Sequence, residues 1–333
     1  MRLLVTGGAG FIGSNFVHYW LERYPDDHVV VYDLLTYAGN RASLSDVEDR
    51  MVFVQGDIAD LELASSIMQE HEIGVVVNFA AESHNSLAVL DPGLFARTNV
   101  LGTQLLLEAS RRAGVERFHH ISTCEVYGDL ALDSDESFSE TSPYRPRTPY
   151  NASKAAADHY VRAYHETFAL PVTITNCSNN YGPYQFPEKV IPLFVTNALD
   201  DLPLPMYEST GNKREWLHVL DHCAAIDLVL RRGAVGETYN VGSGIEASIE
   251  EVADTVLELT GKPSSLKTIV PDRPGHDRRY LLDATKLRRE LGWQPERGWR
   301  DGLEETVAWY TANRSWWEPL KERAPVEETA WRR

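Results

Sequence analysis

The feature that most constrains the fold lies at the start of the chain, where a glycine-rich turn joins a short apolar strand to a helix. The predicted strand Arg2–Thr6 is followed at once by Gly7, Gly10 and Gly13, and an amphipathic helix is predicted over residues 14–23. Glycines at this spacing allow a tight turn, a close approach of backbone to a pyrophosphate, and close packing of helix on strand. The sequence therefore predicts the start of a dinucleotide-binding fold.

An acidic residue after the second predicted strand indicates which dinucleotide is bound. The strand over 28–32 ends at Asp33, twenty residues beyond Gly13. A pyrophosphate is attracted to the helix N-terminus, and a carboxylate at this position accepts hydrogen bonds from the adenosine ribose and repels a 2′-phosphate. We therefore expect NAD in preference to NADP, although Arg41 nearby weakens that preference. A turn that only connects a strand to a helix is the alternative.

Strand and helix patterns alternate through the first half of the chain. Further strands are predicted over residues 51–55, 75–79, 117–121 and 172–175, and helices over residues 99–113 and 150–168. Such alternation is typical of a parallel sheet with right-handed crossovers and helices on both faces. The predicted fold class is α/β: a Rossmann-type doubly wound parallel sheet with a smaller mixed α/β substrate-binding region on the C-terminal side.

Residues that follow two of these strands are further candidates for cofactor contacts. Asp57, with Ile58 beside it, follows the third predicted strand, and we expect its carboxylate to reach the adenine amino group. A helix N-cap before Leu61 explains Asp57 about equally well. Ala80 follows the fourth predicted strand, where small residues let a cofactor approach the backbone.

The composition changes after residue 175, where several prolines between 187 and 205 break the chain into shorter elements. We expect residues 1–175 to form the dinucleotide-binding domain, to which segments around 214–242 return. Residues 176–320 are predicted to form the substrate-binding domain, and residues 321–333 a polar tail.

Polar groups are concentrated in a few segments of the second half. Residues 176–183 are predicted to be a polar loop, and residues 272–280 a loop rich in hydrogen-bond donors. Lys213 and Arg214 place two cations on an apolar segment, which predicts a clamp for phosphate groups; a solvated charge pair is the alternative. Gly292 is predicted to cap the end of a helix.

The side chains with catalytic potential fall into two short stretches. Thr123, Cys124 and Glu125 follow the fifth predicted strand, and ligands bind beyond such strand ends in open parallel sheets. Tyr150 and Lys154 are four residues apart and share one face of a helix. Because a lysine beside a tyrosine favours the phenolate and lowers the phenol's pKa, we expect a general base for a sugar or alcohol hydroxyl.

Charge and cysteine content exclude several other classes of protein. A formal charge of −17 argues against nucleic acid as a partner, no apolar run approaches the length of a membrane span, and the start lacks a signal peptide. The cysteines, Cys124, Cys177 and Cys223, have neither metal-ligand spacing nor the even number of a disulfide framework. We therefore expect a cytoplasmic protein without a metal site.

Longer motifs carry a resemblance to a known family. They occupy residues 4–14, 35–40, 80–84, 178–189 and 272–280. On these stretches the chain resembles the extended short-chain dehydrogenase/reductases, and within them the dTDP-glucose 4,6-dehydratases, from its first residue to about residue 317. The glycine motif identifies only the superfamily, whereas the stretches beginning at 35, 178 and 272 are more specific to the dehydratases.

The resemblance implies a nucleotide-diphosphate sugar as substrate and bound NAD that is reduced and reoxidised within one turnover. Tyr150 would take the proton of the sugar 4-hydroxyl, and Thr123 would hydrogen-bond the 4-oxygen. Lys154 would lower the pKa of Tyr150 and hold the nicotinamide ribose. Glu125 would remove the C5 proton while the C6 hydroxyl leaves as water.

The same resemblance supplies sets of site residues. The cofactor-binding residues are predicted to be Gly7, Gly10, Phe11, Ile12, Gly13, Asp33, Asp57, Ile58, Ala80, Tyr150 and Lys154. The substrate-binding residues are predicted to be Ser83, Asn179, Glu188, Lys189, Arg214, Asn240 and His276. A homodimer is also implied, through a four-helix bundle in which each subunit contributes the helices over 99–113 and 150–168.

Two departures from the family pattern fall close to the chemistry. Cys124 stands where the family has Asp, so the acid–base pair becomes Cys–Glu; the Glu125 anion is expected to raise the pKa of the thiol and keep it protonated as an acid. A small buried filler is the alternative for Cys124. After His84, residues 85–88 read Asn-Ser-Leu-Ala where the family has Val-Asp-Arg-Ser. Together these changes suggest an altered substrate or product.

The leading hypothesis is an NAD-dependent lyase that makes a 4-keto-6-deoxy sugar. The same oxidation at C4 is compatible with a 5,6-dehydratase, an epimerase or a decarboxylase, although a carboxylate at Glu125 counts against an epimerase. A catalytically silent NAD-binding protein is the alternative from another class, and the pairing of Tyr150 with Lys154 argues against it.

Overall fold

The computed structural model describes residues 1–272 and 274–323. The strands in this part of the chain are β1 (Arg2–Thr6), β2 (His28–Asp33), β3 (Val52–Gln55), β4 (Val75–Asn78), β5 (Arg117–Thr123), β6 (Val172–Cys177), β7 (Asn179–Tyr181), β8 (Leu204–Tyr207), β9 (Lys213–His218), β10 (Thr238–Val241), β11 (Glu246–Ser248) and β12 (Lys267–Val270).

The helices in the same part are α1 (Phe11–Arg23), α2 (Leu61–Glu70), α3 (Asn85–Leu90), α4 (Pro92–Phe95), α5 (Thr103–Ala113), α6 (Pro149–Phe168), α7 (Val190–Leu199), α8 (Val219–Arg232), α9 (Ile249–Thr260), α10 (Thr285–Leu291), α11 (Trp299–Ala312) and α12 (Arg314–Lys321). Segments of 3₁₀-helix cover Arg41–Arg50, Cys124–Tyr127 and Ser264–Leu266, and a π-helical segment covers Ala96–Gly102.

Seven strands form one parallel sheet in the order β10-β6-β5-β4-β1-β2-β3. From β1 the chain first winds outward through β2 and β3, then crosses to the other side for β4, β5 and β6. The direction of winding therefore reverses between β1 and β4, and ligands of such sheets bind in the crevice beyond the strand ends at this point. The Rossmann-type α/β fold predicted from the sequence is confirmed.

Helices cover both faces of the large sheet because its strands are apolar on both faces. On one face α1 and α8 pack against the strands, with Phe16, Trp20 and Ile226 buried there. On the other face α2, α5 and α6 bury side chains that include Leu106 and Val161. Parallel strands buried in this way read as continuous apolar runs, which explains why the sequence pattern identified them.

A smaller mixed unit is built mainly from the second half of the chain. In it β9 lies between β7 and β11, and β8 pairs in parallel with β12. Helices α7, α9, α11 and α12 share an apolar core that contains Phe194, Trp216 and Trp317. Of the segments around 214–242, β10 joins the large sheet and α8 packs on its face, whereas β9 belongs to the smaller unit.

Two boundaries near functional segments differ from the predictions. Helix α1 begins at Phe11 instead of residue 14, because Gly10 in extended backbone forms its N-cap. The predicted loop over 176–183 contains β7, which pairs in parallel with β9. That pairing joins distant segments, so local composition did not reveal it.

The helix predicted over 99–113 is divided in the structure. Its first part belongs to the π-helical segment Ala96–Gly102, and the α-helical part begins afterwards as α5. A Cβ on Gly102 would lie 2.8 Å from the Ile58 side chain. The glycine therefore lets Ile58 pack against this segment, where the Ile58 side chain is buried.

The structure tests some of the predictions for the C-terminal part of the chain. Gly292 follows α10 with a φ of +75°, which confirms the predicted glycine cap. Lys321, predicted to start the polar tail, instead ends α12, and its ammonium binds the Asp200 carboxylate at 3.0 Å. The rest of that tail, from residue 324, lies outside the described residues. Within the described ranges, no helix has the length and apolarity needed to cross a membrane.

Candidate active site

The first catalytic stretch lies at the carboxyl end of β5. Thr123 is the last residue of that strand, and a 3₁₀ turn over Cys124–Tyr127 follows it directly. The Thr123 hydroxyl accepts a hydrogen bond from the Glu125 amide nitrogen at 3.3 Å and caps the turn. Thr123, Cys124 and Glu125 are all buried, so the end of the strand carries three reactive side chains shielded from water.

Helix α6 brings the second stretch to the same place. Thr148 caps this helix by accepting a hydrogen bond from the Asn151 amide nitrogen at 3.2 Å. The Lys154 ammonium donates to the carbonyl oxygen of Ile121 on β5 at 2.8 Å. This bond ties α6 to β5, and Tyr150 lies one turn before Lys154 on the same helix face.

The environment of Lys154 lowers its pKa to about 8, chiefly through burial. The nearby Asp158 carboxylate opposes this effect. The nitrogen Nζ also lies 3.4 Å from Nε2 of His120, whose pKa is lowered by burial and by Lys154, so that this imidazole is neutral. With a pKa of about 8, Lys154 is still mostly an ammonium at neutral pH.

The Tyr150 phenol is also governed by burial, which raises its pKa well above the ordinary value. Glu125 raises this pKa further, and a hydrogen bond with the Thr123 hydroxyl lowers it. The sequence predicted that Lys154 would lower the pKa of Tyr150. In the structure the pKa of Tyr150 is raised instead, because removal from water disfavours the phenolate.

Burial raises the pKa of the Cys124 thiol well above its ordinary value, and the Glu125 carboxylate raises it further. The predicted direction is confirmed, although burial is a larger cause than the neighbouring anion. At neutral pH the sulfur therefore carries its proton. It is able to donate that proton, but it is not a thiolate nucleophile.

The glycine-rich turn forms a backbone cradle beside the switch point of the large sheet. A Cβ on Gly7 would lie 2.6 Å from the backbone nitrogen of Ala80, and one on Gly13 would overlap the Gly7 carbonyl oxygen. In the part of the chain that the structure describes, no side chain caps α1 at Gly10. The cradle thus suits a diphosphate, which backbone N–H groups of a helix N-terminus bind.

The acidic end of β2 lies beside this cradle. The Asp33 carboxylate accepts hydrogen bonds from the amide nitrogens of Ala9 and Leu35 at 2.9 and 2.8 Å. Phe11 and Ile12 begin α1 directly after the turn. A carboxylate held next to a diphosphate cradle is the arrangement that binds an adenosine ribose, so these residues fit a dinucleotide.

Two charged residues that the sequence analysis linked to the cofactor, Asp57 and Arg41, each form an ion pair in the structure. Asp60, and not Asp57, caps α2, so the N-cap explanation of Asp57 is wrong. The Asp57 carboxylate instead forms an ion pair with Arg97 at 2.7 Å. Arg41, which weakened the preference for NAD, forms an ion pair with Glu48.

A polar cluster formed by residues from three loops includes a tyrosine, Tyr37, that interacts electrostatically with Tyr150. Lys189 Nζ donates to the backbone carbonyl oxygen of Ser83 at 3.1 Å. The Tyr37 hydroxyl donates to the Glu188 carboxylate at 3.1 Å, and burial raises the pKa of Glu188. The pKa of Tyr37 is raised by burial, by Glu188 and, more weakly, by Tyr150. This cluster is therefore close enough to the reaction centre to interact with it electrostatically.

Arg214 is the buried cation of β9. Its guanidinium donates to the carbonyl oxygen of Asp277 at 2.7 Å and lies 4.8 Å from the centroid of the Tyr280 ring. Lys213 precedes it on the same strand, and adjacent side chains of a strand point to opposite faces. Arg214 and Lys213 therefore point to opposite faces of β9, and Arg214 acts without Lys213.

Three further predicted substrate residues lie in different settings. Asn240 is fully buried, and its amide oxygen accepts a hydrogen bond from the Tyr127 hydroxyl at 2.8 Å. Asn179 is the half-buried first residue of β7. His276 lines an open cavity of about 750 Å³ together with Arg147. Ser83, Glu188 and Lys189 thus lie in one cluster, whereas Asn240 is hydrogen-bonded within the protein interior.

One contact in the site had no counterpart in the sequence predictions. The Asn85 side-chain nitrogen lies 3.3 Å from Oε2 of Glu125. The sequence marked Asn85 only as a departure from a family motif. Tyr37, which binds Glu188, was also part of a quoted motif without a role of its own. Both residues could have been identified from the sequence by their position within or beside those motifs.

Comparisons with known proteins agree on one group of enzymes. A family described as GDP-mannose 4,6 dehydratase matches residues 4–306. The chain is 49% identical to a dTDP-glucose 4,6-dehydratase of Streptomyces antibioticus over 97% of this chain and 96% of that protein. It is 50% identical to the dTDP-glucose 4,6-dehydratase of Mycobacterium tuberculosis, over 97% of each.

The structural comparison leads to the same group. The fold is similar to the crystal structure of DesIV, a dTDP-glucose 4,6-dehydratase from Streptomyces venezuelae, with NAD and dTDP (TYD) bound. The TM-score is 0.93 at 51% identity, and the match covers 96% of this chain and 100% of that one.

We expect Cys124, Cys177 and Cys223 to resist iodoacetamide in the folded protein. All three are buried free thiols, and burial raises the pKa of each, to about 12 for Cys177. Little thiolate is therefore available at about pH 8. Mass spectrometry should detect the labels only after unfolding in guanidinium chloride. Fast labelling of Cys124 in the native protein would contradict the buried, protonated thiol.

Proposed function

The chain belongs to the dTDP-glucose 4,6-dehydratase family and catalyses NAD-dependent 4,6-dehydration of dTDP-glucose; we propose that Thr123, Cys124, Glu125, Tyr150 and Lys154 carry that reaction. The observation that supports these roles is the burial of all five side chains at one edge of the large sheet, where β5 ends and α6 begins. The product is the 4-keto-6-deoxy sugar nucleotide and the second product is water.

The cradle after β1 fits the cofactor. Gly7 and Gly13 allow the backbone of the turn to pack closely against Ala80 and against itself. The N-terminus of α1 would bind the pyrophosphate, and Asp33 would bind the adenosine ribose. Bound NAD would supply a reversible hydride acceptor for oxidation at C4 and reduction at C6, so no external oxidant would be needed. Lys154 would hold the nicotinamide ribose.

Tyr150 would carry out the first proton transfer. This phenol takes the proton of the C4 hydroxyl while C4 is oxidised, and Thr123, its hydrogen-bond partner, would hold the 4-oxygen in place. Because burial opposes the phenolate, a positive charge close by is required. Lys154, mostly an ammonium at neutral pH, supplies that charge from the next turn of α6.

Glu125 and Cys124 would then perform the elimination. The new C4 ketone acidifies C5, and Glu125 removes the C5 proton as the C5–C6 double bond forms. Cys124 donates its proton to the C6 oxygen, the C6–O bond breaks, and water leaves. After reduction at C6 a proton returns to C5, and the proton that Tyr150 took from the 4-hydroxyl balances the one that Cys124 lost.

The use of a thiol as acid has a physical cost. A thiol has a reference pKa several units above that of a carboxylic acid, and burial raises the pKa of Cys124 further. Proton donation to the leaving oxygen is therefore more difficult than from an Asp. We infer that loss of the C6 hydroxyl is the slow chemical step in this chain.

We further propose a cytoplasmic homodimer that forms through α5, α6 and the π-helical segment before α5. Three large apolar side chains, Leu101, Tyr160 and Phe168, are exposed on these elements. Exposed apolar groups on neighbouring helices are typical of a subunit interface. The free thiols of the chain suit a reducing compartment.

The reaction is tested by incubating the purified protein with dTDP-glucose in D2O and analysing the product by mass spectrometry and NMR. We expect loss of one water and incorporation of one deuterium at C5, because the proton returned to C5 exchanges with solvent. UDP-glucose serves as the comparison for nucleotide preference. An alkene product without deuterium would indicate a 5,6-dehydratase, and an unchanged sugar would refute dehydration.

The acid role of Cys124 is tested by substitution. We expect Cys124→Ala to lower kcat by roughly a hundredfold or more, the usual contribution of a general acid, and Cys124→Asp to retain turnover because a carboxyl is restored. Cys223→Ala, which removes a buried thiol from α8, is the matched control. Wild-type turnover by Cys124→Ala would show that the cysteine only fills space.

The dimer is tested by light scattering after size-exclusion chromatography. We expect a mass of twice 37.5 kDa, and a shift towards the monomer when Tyr160→Glu and Phe168→Asp place charges on the exposed apolar face. Leu202→Asp, at an exposed leucine of the smaller unit, is the control. A wild-type mass near that of one chain would refute the homodimer.

A further inference from the structure

A chain of hydrogen bonds connects Glu125 to the start of α6 through the side chain of Asn85. Asn85 is the first residue of α3, and its Nδ2 donates to Glu125 Oε2 at 3.3 Å. Its Oδ1 accepts from the Thr148 hydroxyl at 3.3 Å. That hydroxyl accepts in turn from the Asn151 amide nitrogen at 3.2 Å. The bonds therefore link three segments of the chain, namely α3, the start of α6 and the turn that carries Glu125.

These bonds are consistent with one orientation of the Asn85 amide. The Thr148 hydroxyl accepts a backbone N–H and still has a proton to donate to an oxygen. Asn85 Oδ1 takes that proton, and the N–H₂ end is left for the carboxylate. An N–H donor stabilises the ionised form of its acceptor.

A donor beside Glu125 offsets the removal of its carboxylate from water. Glu125 is buried, and burial of a carboxylate favours the neutral form. The groups that interact with it electrostatically include the thiols of Cys124 and Cys177 and the phenols of Tyr150 and Tyr280. Burial raises the pKa of each of these four groups, so all of them are neutral near pH 7.

We propose that Asn85 is a positioning residue, which keeps Glu125 ionised and directed at the sugar C5 for the elimination. This inference rests on the proposed function, because it assigns Asn85 a task only if Glu125 is the base. Asn85 acts through Glu125 and takes no proton itself. We therefore expect its main effect on the elimination, because Asn85 contacts Glu125 directly but meets only the cap of α6 and not Tyr150 itself.

The first test uses Asn85→Leu, which removes both polar ends of the amide but keeps four side-chain heavy atoms branched at Cγ. We expect kcat to fall about tenfold with KM nearly unchanged, the scale of one hydrogen bond to a charged group. Rapid quenching followed by mass spectrometry should show a sugar nucleotide that has lost two hydrogens but still carries the C6 hydroxyl group. This 4-keto hexose accumulates because oxidation at C4 continues while removal of the C5 proton slows.

Two further variants separate positioning from general damage. Asn197→Leu makes the same change at an amide that bonds the Pro203 carbonyl oxygen at 2.8 Å in the smaller unit, and it should keep wild-type kinetics. Asn85→Asp has the shape of the native residue but sets a second carboxylate against Glu125, so its kcat should fall further than that of Asn85→Leu. Circular dichroism checks the folding of each variant, and Asn85→Asp carries the test if Asn85→Leu does not fold.

A double-mutant cycle shows whether Asn85 acts through Glu125. In a Glu125→Gln background, Asn85→Leu should change the elimination rate by less than about twofold, because the partner carboxylate is already gone. A full tenfold effect in that background would overturn the proposal. So would an Asn85→Leu variant with wild-type kcat, or one in which C4 oxidation slows as much as elimination.

The wild-type protein is assayed beside the variants. If it does not dehydrate dTDP-glucose, the proposed function itself fails. If the wild type dehydrates the sugar and Asn85→Leu behaves identically, only the role of Asn85 fails.

Discussion

The active site depends on the parallel pairing of β1 with β2 on one side and with β4 on the other. Because the chain winds outward in both directions from β1, its crossovers leave a crevice beyond the carboxyl ends of the central strands. The turn after β1 places the N-terminus of α1 at this edge, and β5, next to β4, delivers Thr123 to the same edge. Sheet topology therefore brings a cofactor cradle and a set of acid–base groups together.

Burial in this crevice then determines the protonation states. It keeps the Cys124 thiol protonated, raises the pKa of Tyr150 and lowers the pKa of Lys154 to about 8. In each case removal from water favours the neutral form. The Asn85 amide lies within hydrogen-bonding distance of Glu125, the proposed base, and would favour its charged form.

The two departures from the family pattern are connected in space. Cys124 is the neighbour of Glu125 in sequence, while Asn85 precedes Glu125 by forty residues and contacts it through a side-chain hydrogen bond. Both changes therefore act on the same carboxylate. The proposed acid and a residue that contacts the proposed base have thus both changed, whereas Glu125 itself, the glycine turn and Asp33 follow the common pattern.

The sequence alone determined strands β1 to β6 of the large sheet, the cradle of Gly7, Gly10 and Gly13, and the pairing of Tyr150 with Lys154. These features are local, since apolar runs, glycine spacing and helical periodicity are visible in a short window of residues. Only the tertiary structure decided that β7 pairs with β9, that burial controls the pKa of Tyr150, and that Asn85 contacts Glu125. Strand partners, solvent exclusion and contacts across forty residues depend on how the whole chain packs, so no short window of sequence contains them.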